Sequence, residues 1–375
     1  MKRYFDYAAT CPLDEDALNA YVHAARNYFA NSSSLHDPGS KAKQLLEHCR
    51  RKMAELLLVE EEGVYFTSGG TESNEIGLQA LLDASQGKHI VTTDAEHSSV
   101  RNLMKKYQKE GYLLSKVPLT TKGMVDMKAF EQVVCEDTAI VAIQHVNAEI
   151  GTIQPIRSIS AICRERGILL HSDCVQTFGK VDLSEVAPYV DSLSVSSHKV
   201  FGPKGVGAVY VRPALSFMQR IPGSTHESGV RPGTINIPGI AGFTVAAEKM
   251  VNGLEDQQQL FLRLKQTFLE EMKGKACELI GEVSDNPVPI IGLCLTDIEG
   301  QWAMLEGNRR GFHFSTGSAC GVQSTDPPAT LLAMGLLEPQ AKTFIRISFG
   351  HEQTASDVEE LARFLTAILR KVEKV

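Results

Sequence analysis

The 375-residue chain holds no run of about 18 apolar residues, so no segment has the make-up of a membrane-spanning helix. Its start, MKRYFDYAAT, has two basic residues but no apolar stretch behind them, so a secretory signal is not expected. A basic excess is missing too. The formal net charge is −7, which argues against a general nucleic-acid binder with its basic stripe. Eight cysteines stand at 11, 49, 135, 163, 174, 277, 294 and 320, and none are paired as C-x-x-C. That disfavours a zinc site or a thioredoxin-type redox motif. No G-K-[ST] occurs, which disfavours a nucleotide P-loop. Internal repeats and low-complexity tracts are also absent. These absences leave a cytoplasmic globular protein with no metal site, whose thiols are mostly buried small hydrophobes.

The composition is that of a soluble enzyme, with 43% hydrophobic and 22% charged residues. The length predicts one large domain and a smaller one. Short β-branched runs at 64–67, 89–93, 139–143, 168–172, 192–195 and 207–211 read as buried strands. Helix-like stretches at 41–58, 71–84, 98–110 and 156–166 lie between them. This alternation predicts a mainly parallel sheet with helices on both faces. It fades after about residue 213. Residues 238–275 read as one or two long helices, and 276–375 mix strands (289–295, 344–349) with helices (326–336, 355–373). The expected class is therefore α/β, a large domain followed by a smaller α+β domain. The segment 315–328, STGSACGVQSTDPP, reads as an exposed loop.

Three stretches could carry chemistry. In VYFTSGGTESNE (64–75) a strand runs into a Gly-rich turn that opens a helix. Free N–H groups and the helix dipole there suit a phosphate, although an ordinary helix N-cap accounts for the same residues. In ILLHSDCVQ (168–176), Asp173 ends a buried strand, where an unpaired carboxylate is costly. It either caps the next turn or meets a cation, such as a protonated pyridine nitrogen, and Gln176 could bind the same ligand. In DSLSVSSHKVFGPKGVGAVYV (191–211) a strand ends at Ser196, Ser197, His198 and Lys199. A lysine directly after a buried strand can lose its proton and act as an amine nucleophile, although most lysines are solvated surface groups. Together the three supply a phosphate cup, a carboxylate for a ring nitrogen and a Schiff-base lysine, the parts of a pyridoxal 5'-phosphate site.

At this point the chain resembles the class V aminotransferases, and within them the NifS/IscS-type cysteine desulfurases. The matching stretches are FDYAAT (5–10), FTSGGTESN (66–74), EHSSV (96–100), HSDCVQTFGK (171–180), SSHKVFGPKGVGAVYV (196–211), RPGT (231–234), STGSAC (315–320) and IRISFG (345–350). They run the whole chain in family order. The wording is nearest to NifS-like enzymes of Gram-positive bacteria, for which the resemblance implies a link to NAD synthesis through the iron–sulfur cluster of quinolinate synthase.

The resemblance implies the pyridoxal-phosphate fold type I, with a large cofactor-binding domain at 14–254. Residues 1–13 and 255–375 would form the small domain with the cysteine loop. It implies Lys199 as the Schiff-base lysine and His97 as the ring-stacking proton-transfer residue. Gly70, Thr71, Ser196 and His198 would hold the phosphate, with Thr234 reaching in from the partner of a homodimer. Asp173 would pair with the ring nitrogen, Gln176 with the phenolic oxygen, and Arg346 with the substrate carboxylate. Cys320 would take sulfur from L-cysteine as a persulfide, leaving L-alanine, and pass it to an acceptor such as an iron–sulfur scaffold or a cluster-requiring enzyme. Rivals on the same fold are a selenocysteine lyase, a cysteine sulfinate desulfinase and an aminotransferase; a non-enzymatic scaffold is disfavoured by the intact lysine–aspartate–arginine set. The chain departs from the family at Ala148, where a second Asn is usual, at Ser224-Thr225 in place of a Gly pair, and at Cys174 in place of Ala.

Overall fold

A computed structural model describes residues 3–219, 221, 223–283, 286–317 and 327–372. In chain order the first elements are α1 (Glu15–Asn27), α2 (Asp37–Leu57), β1 (Val64–Thr67), α3 (Gly70–Ala84), β2 (His89–Thr92), α4 (Ser98–Lys109) and β3 (Leu113–Lys116). Then come α5 (Met127–Val133), β4 (Thr138–Ala142), α6 (Ile156–Glu165), β5 (Leu169–Asp173), β6 (Ser192–Ser196) and β7 (Gly207–Val211). The seven strands form one sheet in the order β1-β7-β6-β5-β4-β2-β3. All neighbours are parallel except β7, which runs antiparallel to both β1 and β6.

Burial on both faces explains the apolar runs. Ile90, Ile140 and Ala142 pack under Leu78, Leu81 and Tyr107 of α3 and α4. Their neighbours Val91 and Val141 turn to the opposite face and join the larger core, which holds Ile159 of α6 and, further along, Leu46 and Met53 of α2. The period of two along a strand thus feeds both helical layers. The expected mostly parallel sheet between helices is the one observed.

Residues 238–275 divide at Gly253 into α7 (Ile237–Asn252) and α8 (Leu254–Met272). Beyond them lie β8 (Cys277–Ile280), β9 (Ile290–Leu295), α9 (Gly300–Arg309), α10 (Ala329–Ala333), α11 (Glu338–Ala341), β10 (Phe344–Ser348) and α12 (Ala355–Val372). Strands β10-β9-β8 make a second, antiparallel sheet. Its core joins Leu293, Leu295 and Ile345 to Phe261 and Phe268 of α8 and Leu361 and Leu365 of α12. Residues 4–6 run beside this sheet, with bridges Tyr4–His313 and Asp6–Ser348. They carry the chain from the small sheet to the ends of the large one. The helix expected at 326–336 is the shorter α10; α1, α5, α9, α11, β3 and β8 had no counterpart in the sequence reading. Among the described residues no helix is long and apolar enough to cross a membrane.

Candidate active site

In a parallel sheet the strand C-termini share one edge, where ligands are usually bound. Here Asp173 closes β5, Ser196 closes β6 and Lys199 follows it by one turn. His97 caps α4 after β2, and Gly70 opens α3 after β1. These residues meet at a cavity of about 200 Å³ lined by Gly70, Thr71, His97, Asp173, Gln176, Ser196, His198, Lys199 and Arg346. Nine of the expected residues thus stand on one wall system. Thr234 is exposed and does not line the cavity. Cys320 lies outside the described residues.

The glycine-rich end of the cavity is built by backbone. Gly69 sits at φ 147°, a conformation that excludes other residues, and it turns the chain so that the first N–H groups of α3 point outward. A Cβ on Gly207 would fall 2.7 Å from the Gly69 Cα, so the return strand needs glycine to pass the turn. A shallow recess joins Gly69, Gly70 and Thr71 to Ser196, His198 and Lys204. Such a polar cup, with Glu72 also in its lining and turned to the Ser68 N–H, fits a phosphate.

The carboxylate is held from behind. Asp173 Oδ2 accepts from Asn74 Nδ2 at 2.7 Å, and Oδ1 accepts from Val175 N at 2.9 Å. Asn74 also donates to Ser99 Oγ at 2.9 Å and accepts from His171 Nε2 (3.1 Å apart) and from Ser194 Oγ. Burial pushes His171 down to about 4, so its ring is neutral and donates through the nitrogen facing Asn74. Ser99 in turn stands 2.8 Å from His97 Nδ1, which also accepts from the Ser99 N–H. Nε2 therefore carries the proton in the neutral His97 ring. Asn74 links the aspartate to the histidine, and the sequence reading assigned it no role although it stands inside FTSGGTESN. Beside His97, Glu96 is fully buried, and burial raises its carboxyl to about 8.

At the other end the cations gather. Lys199 Nζ donates to the carbonyls of Ala8 (2.6 Å) and Ala9 (2.7 Å). Burial, then the charges of Arg346 and Lys180, lower it to about 7, so a large share is neutral amine near pH 7. His198 falls to about 4 chiefly through burial, and its Nδ1 lies 3.1 Å from Thr10 Oγ1. Arg346 Nη2 pairs with Asp6 Oδ1 at 2.7 Å, and Nη1 donates to the Ala148 carbonyl at 2.9 Å. Its buried Nε has no partner among the described residues, an orphaned donor on a residue that lines the cavity. Ala148 therefore serves this site through its carbonyl, while its side chain offers no donor. FDYAAT acquires a purpose as well: Asp6 holds the arginine, and Ala8 and Ala9 hold the lysine. Only contacts across the fold could show that.

The described residues on either side of 318–326 are anchored here. Ser315 exchanges both backbone hydrogen bonds with Arg346, at 2.6 and 3.2 Å. Thr330 Oγ1 accepts from Asn147 Nδ2 at 3.1 Å, and Thr330 N donates to Glu149 at 3.3 Å.

An α/β fold with a lysine amine, a buried aspartate and a glycine turn opening a helix at one sheet edge points to a class, and the family comparison agrees. Residues 3–361 match the aminotransferase class-V model, and the chain belongs to that family. Within it the chain is 41% identical over 371 residues to a protein named NifS from Bacillus subtilis (strain 168), covering 97% of this chain and 94% of the relative. It is 34% identical over 375 residues to cysteine desulfurase IscS 1 of Archaeoglobus fulgidus, covering 99% and 98%. The solved structure of a NifS-like protein superposes with a TM-score of 0.91 at 30% identity, over 99% of this chain and 100% of that one.

Proposed function

We propose that the chain is a pyridoxal-phosphate-dependent cysteine desulfurase, which moves sulfur from L-cysteine onto Cys320 and releases L-alanine. The observation that carries this is the neutral-prone Lys199 amine in one cavity with Asp173 and with the orphaned Nε of Arg346. The relatives' names supply the substrate. The residues fit the cofactor: the α3 turn suits its phosphate, Asp173 its ring nitrogen, Gln176 its phenolic oxygen and Lys199 its aldehyde. When bound, pyridoxal phosphate supplies an electron sink for the bonds broken at the substrate Cα.

The protein's own groups do the rest. Arg346 takes the substrate carboxylate, with Nε already unpartnered and Nη2 exchanging Asp6 for it. Lys199 Nζ, held over the cavity by Ala8 and Ala9, receives the Cα proton. Asp173, anchored by Asn74 and the Val175 N–H, would hold the ring nitrogen. The Cys320 thiolate attacks the substrate sulfur. The new S–S bond forms as the Cβ–S bond breaks, the three-carbon product takes up one proton at Cβ, and Lys199 returns the proton to Cα, which gives alanine.

Further parts of the reading are a homodimer in which Thr234 completes the partner's phosphate site, cytoplasmic location, and delivery of the persulfide to an iron–sulfur scaffold or a cluster-requiring enzyme, including one of NAD synthesis. Purified protein given L-cysteine and a thiol reductant should form alanine and sulfide in equal amounts. A protein that takes up no pyridoxal phosphate and yields neither product sinks the proposal.

A further inference from the structure

One buried cation behind the cavity, Lys180, has entered so far only through its charge, which helps to lower Lys199. Lys180 is 5% exposed and follows Gly179, whose φ of 69° turns the chain at the end of the segment after β5. A Cβ on Gly179 would lie 2.9 Å from Met250, so the turn has no room for a side chain. It sets Lys180 four residues after Gln176, and Lys180 Nζ donates to Gln176 Oε1 at 2.8 Å. Gln176 Nε2 donates to the Ala8 carbonyl at 2.9 Å, the same carbonyl that accepts from Lys199.

A carboxamide has two ends of nearly equal shape, so a glutamine on a cavity wall can ordinarily face either way. Here it cannot. An ammonium has only donors and therefore takes Oε1; a carbonyl has only lone pairs and therefore takes Nε2. A flipped amide would lose both bonds and set donor against donor. The second Nε2 hydrogen is left to serve the cavity that Gln176 lines. An apolar side chain would fill the position of Lys180 without the cost of burying a third cation beside Lys199 and Arg346.

We infer that Lys180 is a positioning residue for the reaction: its ammonium locks the Gln176 amide with nitrogen toward the cavity, where it donates to the phenolic oxygen of the cofactor. This rests on the pyridoxal-phosphate reading of the site. The groups facing Lys180 and Lys199 are Cys11, Arg346, His198 and Asp6, and all stay in place in the variants below. A donor on the phenolic oxygen steadies its negative charge, and so favours the form in which the neighbouring Lys199 nitrogen has given up its proton.

The test is a pH titration of the visible absorption band in the cofactor-loaded protein. Lys180→Met, close in volume to lysine, should still bind the cofactor, with the midpoint raised by about one pH unit. Gln176→Leu should raise it as well, and the double variant by less than the sum of the two, because one residue acts through the other. If the methionine variant does not accumulate folded, Lys180→Gln serves in its place, with a smaller rise expected. Wild-type and Lys180 variants sharing one midpoint, or shifts that add in full, overturn the inference alone. A wild type that binds no cofactor overturns the site reading and the inference together.

Discussion

Two lysines withdrawn from solvent in this molecule make nearly the same bonds and differ in what they can do. Lys199, at the edge of the large sheet, donates to two carbonyls, Ala8 and Ala9. Lys265, on α8 behind the small sheet, donates to the carbonyls of Asn286 (2.5 Å) and Val288 (3.2 Å). Burial lowers both, Lys265 to about 8 and Lys199 to about 7. Lys265 has burial as its only cause, whereas Lys199 also feels Arg346 and Lys180. Lys199 lines a cavity, while Lys265 ties down the turn before β9. A depressed lysine is therefore not in itself a sign of catalysis. The sign is a depressed lysine with converging charges and room for a ligand.

That contrast can be broken at either lysine. The largest effect is expected for Lys199→Ala, which should abolish the visible cofactor band and lower alanine formation by at least about 10²-fold. An active, coloured variant would remove the distinction between the two lysines. Next in size, Cys320→Ala should keep the band and the fold but reduce sulfide release from L-cysteine to background. Alkylation and mass spectrometry should find the wild-type persulfide on Cys320 alone. A third experiment follows the rate at which apoprotein captures pyridoxal phosphate. Because only the neutral amine adds to the aldehyde, and Lys199 titrates near 7, the rate should climb almost tenfold per pH unit below that value and level off above it. A climb continuing to pH 10 would place Lys199 with ordinary solvated lysines. The smallest change is expected for Lys265→Met. It should leave the activity of the folded protein intact and lower stability by about 1–3 kcal/mol, since two carbonyls lose their donor. Urea unfolding measures it, and a loss of the cofactor band there would erase the comparison from the other side.

The strands legible in the chain were those buried on both faces. β4 (TAIVA) and β7 (GAVYV) are fully covered, and their apolar runs announce it. β3 (LLSK) and β8 (CELI) are edge strands, half open to water, so no run or alternation marks them. α1 buries only Ala17 and Ala24, too little apolar area to print a helical period. The site divides in the same way. Gly70, Asp173 and Lys199 were readable because each stands where a strand gives way to a turn, and a charged or glycine residue at the end of an apolar run is conspicuous in one dimension.

What sequence by itself determined was the set of candidate reacting groups, since side-chain chemistry belongs to the residue. The tertiary structure decided their electrical state and their aim. The carbonyls of Ala8 and Ala9 reach Lys199 across 191 and 190 residues, Asn74 reaches Asp173 across 99, and Asp6 reaches Arg346 across 340. A proton's affinity and an amide's orientation depend on neighbours within a few ångströms, and those neighbours come together only when the chain folds.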